Sequence, residues 1–310
     1  MIIESCSCLG SFGHDAAALA GAFSGEKNDA FFEKTDTNAL KEFHPARVLR
    51  QCDHFSRLAL LAASRAMAAS GITDRAGIGI ILASGYGPTL ATYDFLDSLL
   101  DYGEAMASPL AFSLTVHNIP AAVVAKTMQI VGPCATVCQF ESSVASALLL
   151  ARNWLDEGRV AKVLFGAVDE MTPVLRGIVA RMATEREARG APAIRRNTPP
   201  GEAAAFFLLS RDGRPGAGVI EEINLACGPY DKKTALQADI RFMSGTFPAE
   251  TRAAHGALDG SSAYGNLPVA QALDCILALD MLKRRRLKTA CCLNAGAGMH
   301  SAVVLSGADA

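Results

Sequence analysis

The chain runs to 310 residues with a formal net charge of −2 at pH 7 and 50% hydrophobic residues, a balance that leaves no basic footprint for nucleic acid. No run approaches the ~20 apolar residues of a membrane span, and the start, Met1-Ile2-Ile3-Glu4-Ser5, lacks the basic n-region of a secretory signal. Nine cysteines occur without metal-ligand companions at zinc spacing, so a soluble cytoplasmic protein without a metal is expected.

Aromatic residues make up only 6% of the chain, and Ala, Gly and Leu fill the count, which suits close-packed strands and helices covered on both faces. Gly25 to Asn38 is polar and reads as a loop with a short helix. Asp53 opens a helix pattern carried by Leu58, Leu60, Leu61, Ala63, Ala66 and Met67, ending at Gly71. Ile78 to Ala83 is an apolar run that stops in the glycine-rich turn Ser84-Gly85-Tyr86-Gly87. Thr136 to Phe140 is β-like and breaks at Ser142-Ser143; a helix pattern from Val144 to Leu155 follows and closes at Gly158. Val163 to Val168 forms the next strand. The polar stretch Glu185 to Pro200 reads as a mobile loop dividing two halves, about 1–184 and 201–310. In the second half, Arg211 to Gly218 is a turn between strands Phe206 to Leu209 and Val219 to Ile223. An apolar helix pattern from Ala272 to Leu282 ends in Lys283-Arg284-Arg285-Arg286, where positive charge is favoured by the helix dipole. A carrier protein's acidic helix is a second use for that run.

Glu141 stands where the β-like run feeds the helix. Unpaired amide N–H groups and the positive end of a helix dipole converge at such a point, which suits an anion or an activated thiolate. Here the position holds a carboxylate.

This arrangement resembles the β-ketoacyl synthase family of the thiolase superfamily, in which a Gly-Pro pair precedes a strand and the reactive cysteine. Counting from Gly132-Pro133, the family's cysteine falls at Glu141, while Cys134 and Cys138 fall inside the strand. Further matches run in order along nearly the whole chain. Asp53-His54-Phe55 resembles the family's early Asp-Arg-Phe helix start. Asn118-Ile119-Pro120-Ala121-Ala122 resembles the segment before the nucleophile strand, and Gly166-Ala167-Val168-Asp169-Glu170 the Gly-Gly-x-Glu strand. Gly201-Glu202-Ala203-Ala204 resembles Gly-Glu-Gly-Ala, and Asn294-Ala295-Gly296-Ala297-Gly298 the late glycine turn. The run Phe112 to Asn118, with Val116-His117-Asn118, is similar to a shorter ketosynthase-like branch found with aryl polyene and related pathways, which often carries an acidic residue at the nucleophile position.

The resemblance implies a thiolase-like α/β fold, layered αβαβα with two pseudo-symmetric halves. It implies a dimer formed through the strand before the nucleophile helix, about Ala135 to Phe140, with itself or with an active ketosynthase. It also implies acyl groups arriving on the phosphopantetheine of an acyl carrier protein, with no cofactor of the chain's own. The family's two catalytic histidines correspond here to Ser244 and Ser261, leaving His117, His255 and His300 as other imidazoles. Phe140, Val144, Phe165, Asn294, Gly296, Gly298 and His300 are the candidate acyl-pocket residues.

A carboxylate is a poor acyl acceptor, because its acyl anhydride is far more labile than a thioester and nothing nearby in sequence activates it. The expected function is therefore that of a ketosynthase-like pseudoenzyme of fatty-acid or polyketide type, acting like a chain-length factor that shapes a cavity without forming an acyl-enzyme. Two alternatives stay open. One is a malonyl or acyl thioester decarboxylase, or an acyltransferase, that uses Glu141 as base. The other is a homodimeric scaffold that binds acyl carrier protein.

Overall fold

The structure is a computed structural model that describes residues 1–25, 34–188, 200–213, 215–228, 238–247, 249–296 and 298–308. Its strands are β1 (Ile2–Gly10), β2 (Ile78–Ser84), β3 (Cys134–Cys138), β4 (Lys162–Asp169), β5 (Ala203–Ser210), β6 (Gly218–Cys227), β7 (Ile240–Gly245), β8 (Thr289–Gly296) and β9 (Met299–Gly307). Its helices are α1 (Ala16–Ser24), α2 (Ala46–Leu49), α3 (His54–Ser70), α4 (Thr89–Tyr102), α5 (Pro109–Ser113), α6 (Ile119–Met128), α7 (Ser143–Asp156), α8 (Pro173–Ala188), α9 (Ala249–Ala254), α10 (Ser261–Tyr264) and α11 (Ala270–Arg285).

The strands follow the order β3-β2-β4-β5-β1-β6-β9-β8-β7, and the two ends of this list repeat one another. In the first half, which takes in β5 from beyond the expected division at Glu185 to Pro200, β1 pairs antiparallel with β5, β5 antiparallel with β4, and β4 parallel with β2. In the second half β6 pairs antiparallel with β9, β9 antiparallel with β8, and β8 parallel with β7. The senses match step for step, which is the expected pseudo-symmetry. The halves meet where Ile2 and Ile3 of β1 pair with Val219 and Gly218 of β6. Strand β3, parallel to β2, is an extra edge strand, and no counterpart of it occurs beside β7 among the described residues.

Helix α3 forms because a carboxylate opens it and a glycine ends it. The Asp53 side chain accepts from the Ser56 amide at 2.9 Å, and Gly71 takes a left-handed φ of +67°, a conformation with no Cβ penalty for glycine. With α6 it covers the outer face of the first half-sheet, where Leu58, Leu61, Leu82, Leu164 and Phe206 share one core. A larger core lies between the halves. There α7 and α11 contribute Val144, Leu148, Leu273 and Leu277 to one cluster with Phe165, Phe207, Phe242 and Leu305. Each fully buried side chain of this size contributes roughly 1.5–3 kcal/mol. On the far face of the second half-sheet Met243, Phe247, Cys291, Leu293 and Ala302 form a small cluster. The layers are those of the expected αβαβα architecture, with the last one thin.

Where β4 meets β5, Gly166 lies opposite Phe206, and a Cβ on Gly166 would fall 2.2 Å from that ring. Gly166→Ala is expected to destabilise the fold by about 1–3 kcal/mol through overpacking. A lowered urea midpoint with an unchanged m-value would register it.

Two boundaries differ from the sequence reading. The strand expected over Thr136 to Phe140 begins and ends two residues earlier. It stops because Ser143 Oγ captures the Gln139 amide at 2.7 Å and Phe140 turns to a left-handed φ of +48°, so neither residue can continue the ladder. The loop expected from Glu185 starts later, since α8 continues to Ala188; residues 189–199 lie outside the described residues, as do 26–33 in the early polar segment.

Candidate functional site

Strands β2, β3 and β4 run parallel, as do β7 and β8, and their carboxyl ends bring the loops that follow them together. Crevices at such strand ends are where α/β folds place ligands. From β3 the chain passes through a short 3₁₀ turn, Phe140–Ser142, into α7, and Ser143 fixes that turn. Its hydroxyl donates to the Phe140 and Ser84 carbonyls at 2.7 and 2.8 Å, tying β3 to the end of β2.

Glu141 sits half-buried at this junction. Its side chain crosses the face of Gly296 at the end of β8, where a Cβ would lie 2.3 Å from both Cδ and Oε2 of the glutamate. Asn294, two residues earlier on β8, donates from Nδ2 to the Glu141 carbonyl at 2.9 Å and to the Pro268 carbonyl at 3.3 Å. Pro268 in turn presses on Gly85, with 2.2 Å from a would-be Cβ to the proline Cβ. One asparagine thus joins three loops.

The fourth loop is held by Asp169, fully buried at the end of β4. Its Oδ1 accepts from Ser84 Oγ at 2.7 Å and from the Gly85 and Tyr86 amides at 2.9 Å each. Burial pushes this carboxyl up to about 6, against the pull of those donors. Tyr86 is placed so that its phenol feels both Asp169 and Glu141; burial first and then these two charges push its pKa up. The phenol therefore stays protonated.

A second carboxylate group lies behind the first. Glu170 accepts from the Leu90 amide at 3.2 Å, at the start of α4, and burial pushes it up to about 7. Glu202 accepts from His54 Nε2 at 2.9 Å, from the Thr35 amide at 2.6 Å and from the Met171 amide at 3.2 Å. Burial alone would raise Glu202; His54 and the two amides outweigh it and hold the carboxyl below its usual value.

The residues singled out from sequence fall into three groups. Glu141, Asn294 and Gly296 are in mutual contact. Ser244 stands beside Asn294 in the β7–β8 register, with its hydroxyl donating to the Leu293 carbonyl at 3.3 Å. Phe140 is 55% exposed at the mouth, and Gly298 makes the β8–β9 turn with φ +77°. The others sit elsewhere. His117 packs beneath Gly87, where a Cβ would lie 2.4 Å from the ring, and faces a groove of about 630 Å³ between α6 and β3, lined also by Ala122, Ala125, Lys126 and Thr136. Val144 and Phe165 are fully buried in the middle core, and Phe165 packs against Phe207 at 5.7 Å. His300 lies on β9 with Nδ1 3.3 Å from the Gly228 carbonyl. Ser261 is buried in α10; from this part of the chain it is the later loop, through Pro268, that reaches Asn294.

The thiols near Glu141 are not activated. Cys134 and Cys138 are on the edge strand, and burial raises both, Cys138 to about 11 with the Asp169 charge adding to it. A thiol held protonated is a weak nucleophile. Among the described residues no group of three His, Cys, Asp or Glu side chains could hold a metal, and no helix is long and apolar enough to cross a membrane. Tyr86, Asp169, Glu170 and His54 are the site groups that sequence reasoning passed over as chemistry. The Gly-Tyr-Gly turn and the adjacent Asp-Glu pair at a strand end were their only local signals.

Similar architecture occurs in several solved structures. The chain superposes on the ishigamide ketosynthase/chain length factor with a TM-score of 0.76 at 18% identity, covering 98% of each chain. A β-ketoacyl synthase from Burkholderia phymatum gives 0.75 at 15% identity, again over 98% of both. The ketosynthase ApeO in complex with its chain length factor ApeC from Xenorhabdus doucetiae gives 0.60 at 13% identity over 99% of both. At these identities the likeness establishes the fold. No curated protein sequence matches significantly. The family model for the β-ketoacyl synthase N-terminal domain matches residues 12–211, nearly two thirds of the chain, so this protein belongs to the β-ketoacyl synthase family.

Proposed function

We propose that this chain is a non-condensing subunit of a ketosynthase pair, of the chain-length-factor kind, working in polyketide- or fatty-acid-type chain growth. The observation that carries this reading is the carboxylate of Glu141 at the family's nucleophile position, beside cysteines whose thiols are held protonated. Covalent capture of an acyl group would then fall to a partner's thiol, with the growing chain delivered on a carrier protein's phosphopantetheine. Similar structures include a ketosynthase/chain length factor, a ketosynthase in complex with its chain length factor, and an acyl-carrier protein in complex with its ketosynthase; this chain is proposed to assemble in the same manner. The Val116-His117-Asn118 motif points to aryl-polyene-type assembly, and the setting is cytoplasmic.

The surface supports a partner. Among the described residues strand β3 is an edge of the sheet, a template for another strand, and Val131 just before it is 91% exposed. Helices α4 and α5 add Leu100 at 84%, Leu110 at 74% and Phe112 at 56%. Exposed apolar side chains on the packed pair α4 and α5 are of the kind that mark an interaction site.

Co-expression with a cysteine-bearing ketosynthase from the same gene neighbourhood is expected to yield a co-purifying complex. The chain alone, given malonyl and acyl carrier protein, should condense nothing. Glu141→Cys should also fail to condense, because Ser244 supplies no imidazole and catalytic groups act as a unit. Detectable ketoacyl product from that single substitution, or no association with the ketosynthase, would sink the reading.

A further inference from the structure

We propose that the basic run at the end of α11 seats this subunit on an anionic lipid surface, held by charge alone, with the site turned away from the membrane. The inference lies outside the proposed function, and nothing in it depends on what Glu141 does. Three observations carry it. First, the charge is free. Lys283, Arg284, Arg285, Arg286 and Lys288 are all exposed, and among the described residues Arg284 alone of them has an ion-pair partner, Asp280 at 2.9 Å. The other carboxylate that meets the run is Asp239, which accepts from the Lys288 and Thr289 amides at 2.9 and 3.0 Å, so five cations stand against two acids. One register row joins Thr289 through β9, β6, β1 and β5 to Lys162 at the start of β4. At that first-half end the cations are matched: Lys162 pairs with Glu4, Arg159 with Glu157 and Arg211 with Asp212. Second, the run is remote from the site. Helix α11 begins beside the Pro268 loop that meets Asn294, and its 16 residues carry the run about 24 Å away. A carrier that serves the site must approach the opposite end, so the run is left for another contact. Third, the run lacks what a protein interface or a helix cap would need. Among the described residues no large apolar side chain is exposed on α11 or in the turn to β8, whereas protein interfaces centre on apolar anchors. The helix dipole favours cations only within the last turn, and Lys288 lies beyond it. Arg286 holds a left-handed φ of +52°, which costs an arginine but not a glycine. Flexible cations without an apolar anchor suit a layer of mobile anionic headgroups, where each Lys or Arg is worth about fivefold in binding.

Sedimentation with vesicles tests this on the full chain. Vesicles of equal parts phosphatidylglycerol and phosphatidylcholine should carry the protein down at low ionic strength, pure phosphatidylcholine vesicles should not, and about 0.5 M salt should release it. Changing Lys283→Gln, Arg285→Gln, Arg286→Gln and Lys288→Gln together should reduce retention on the anionic vesicles to the level of the neutral ones, with Tm little changed because all four side chains are exposed. Arg286→Gly separates lipid binding from helix capping. It is expected to fold at least as stably as wild type, since glycine takes that φ without penalty, and still to lose about fivefold in affinity for the anionic vesicles. Equal sedimentation with both kinds of vesicle, full retention of the fourfold variant, or an unchanged affinity for Arg286→Gly would overturn the proposal. An acyl carrier protein that binds wild type and not the fourfold variant, with no vesicle binding by either, would also overturn it and give the run to a protein partner. Failure of ketosynthase co-purification would instead remove the proposed function and leave this inference standing.

Discussion

Asp169→Ala is expected to destabilise the protein by about 3–5 kcal/mol, the largest effect of any single polar substitution in the site. The carboxylate is fully buried and accepts from Ser84 Oγ and from the amides of Gly85 and Tyr86. Removing it leaves these donors without that acceptor, at about 1–3 kcal/mol for each group that stays buried and unsatisfied. Asp169→Asn keeps an acceptor of the same shape and separates hydrogen bonding from charge. The charge has its own signature. The folded carboxyl titrates at about 6 and not at 3.8, and Glu170 beside it at about 7 and not at 4.5. For acids raised in the folded state, the stabilising contribution is full below the unfolded value and is lost as pH rises through the folded one. Wild-type stability should therefore fall between about pH 4 and 7, with Asp169 alone contributing on the order of 2–3 kcal/mol at roughly 1.4 kcal/mol per unit. Urea unfolding at pH 5 and pH 7.5 measures it. Asp169→Asn should flatten the lower part of that slope, and an unaltered slope would assign the dependence to other groups.

The second large effect concerns assembly. Leu110→Asp with Phe112→Asp is expected to weaken subunit association by more than ~10³-fold, because two apolar anchors would each cost about 2 kcal/mol or more when lost from a buried interface, and two new charges would oppose desolvation. Both side chains are exposed in the isolated chain, at 74% and 56%, so the chain should still fold, with Tm lowered only by the loss of the Phe112–Phe95 ring contact. Phe112 touches Phe95 of α4 with ring centroids 5.4 Å apart, which places both helices in one surface. Sedimentation velocity and co-purification with the ketosynthase read the outcome. A doubly substituted chain that still associates would move the interface away from α4, α5 and the β3 edge.

Much of the framework was legible in the chain because helix and strand periodicities are local. Asp53 and Gly71 bracket α3 within a residue, and the all-apolar runs of β2, β4 and β5 follow from strands buried on both faces. Glu141 was singled out by the spacing from Gly132 that the family resemblance implies, and the structure places it in the turn between β3 and α7. Legibility failed where a single side-chain contact, near or distant in the chain, decides the backbone. The end of β3 depends on Ser143 capturing the Gln139 amide, and a left-handed Phe140 has no signature in a residue of that type. Ser261 could be aligned by motif, but loop lengths do not reveal that Pro268 is the residue whose carbonyl meets Asn294.

The alternation of strands and helices, the glycine-rich turns and the presence of a carboxylate where a strand feeds a helix were all determined by the sequence alone, because each depends on neighbours within about a dozen positions. Only the tertiary structure decided what that carboxylate touches. Glu141 and Asn294 are 153 residues apart, and Ser84 and Asp169 are 85 apart. Ser84 and Asp169 meet because β2 and β4 pair in parallel, Glu141 and Asn294 because the two halves bury a common core around α7 and α11, and no periodicity in the chain encodes which strand ends come together.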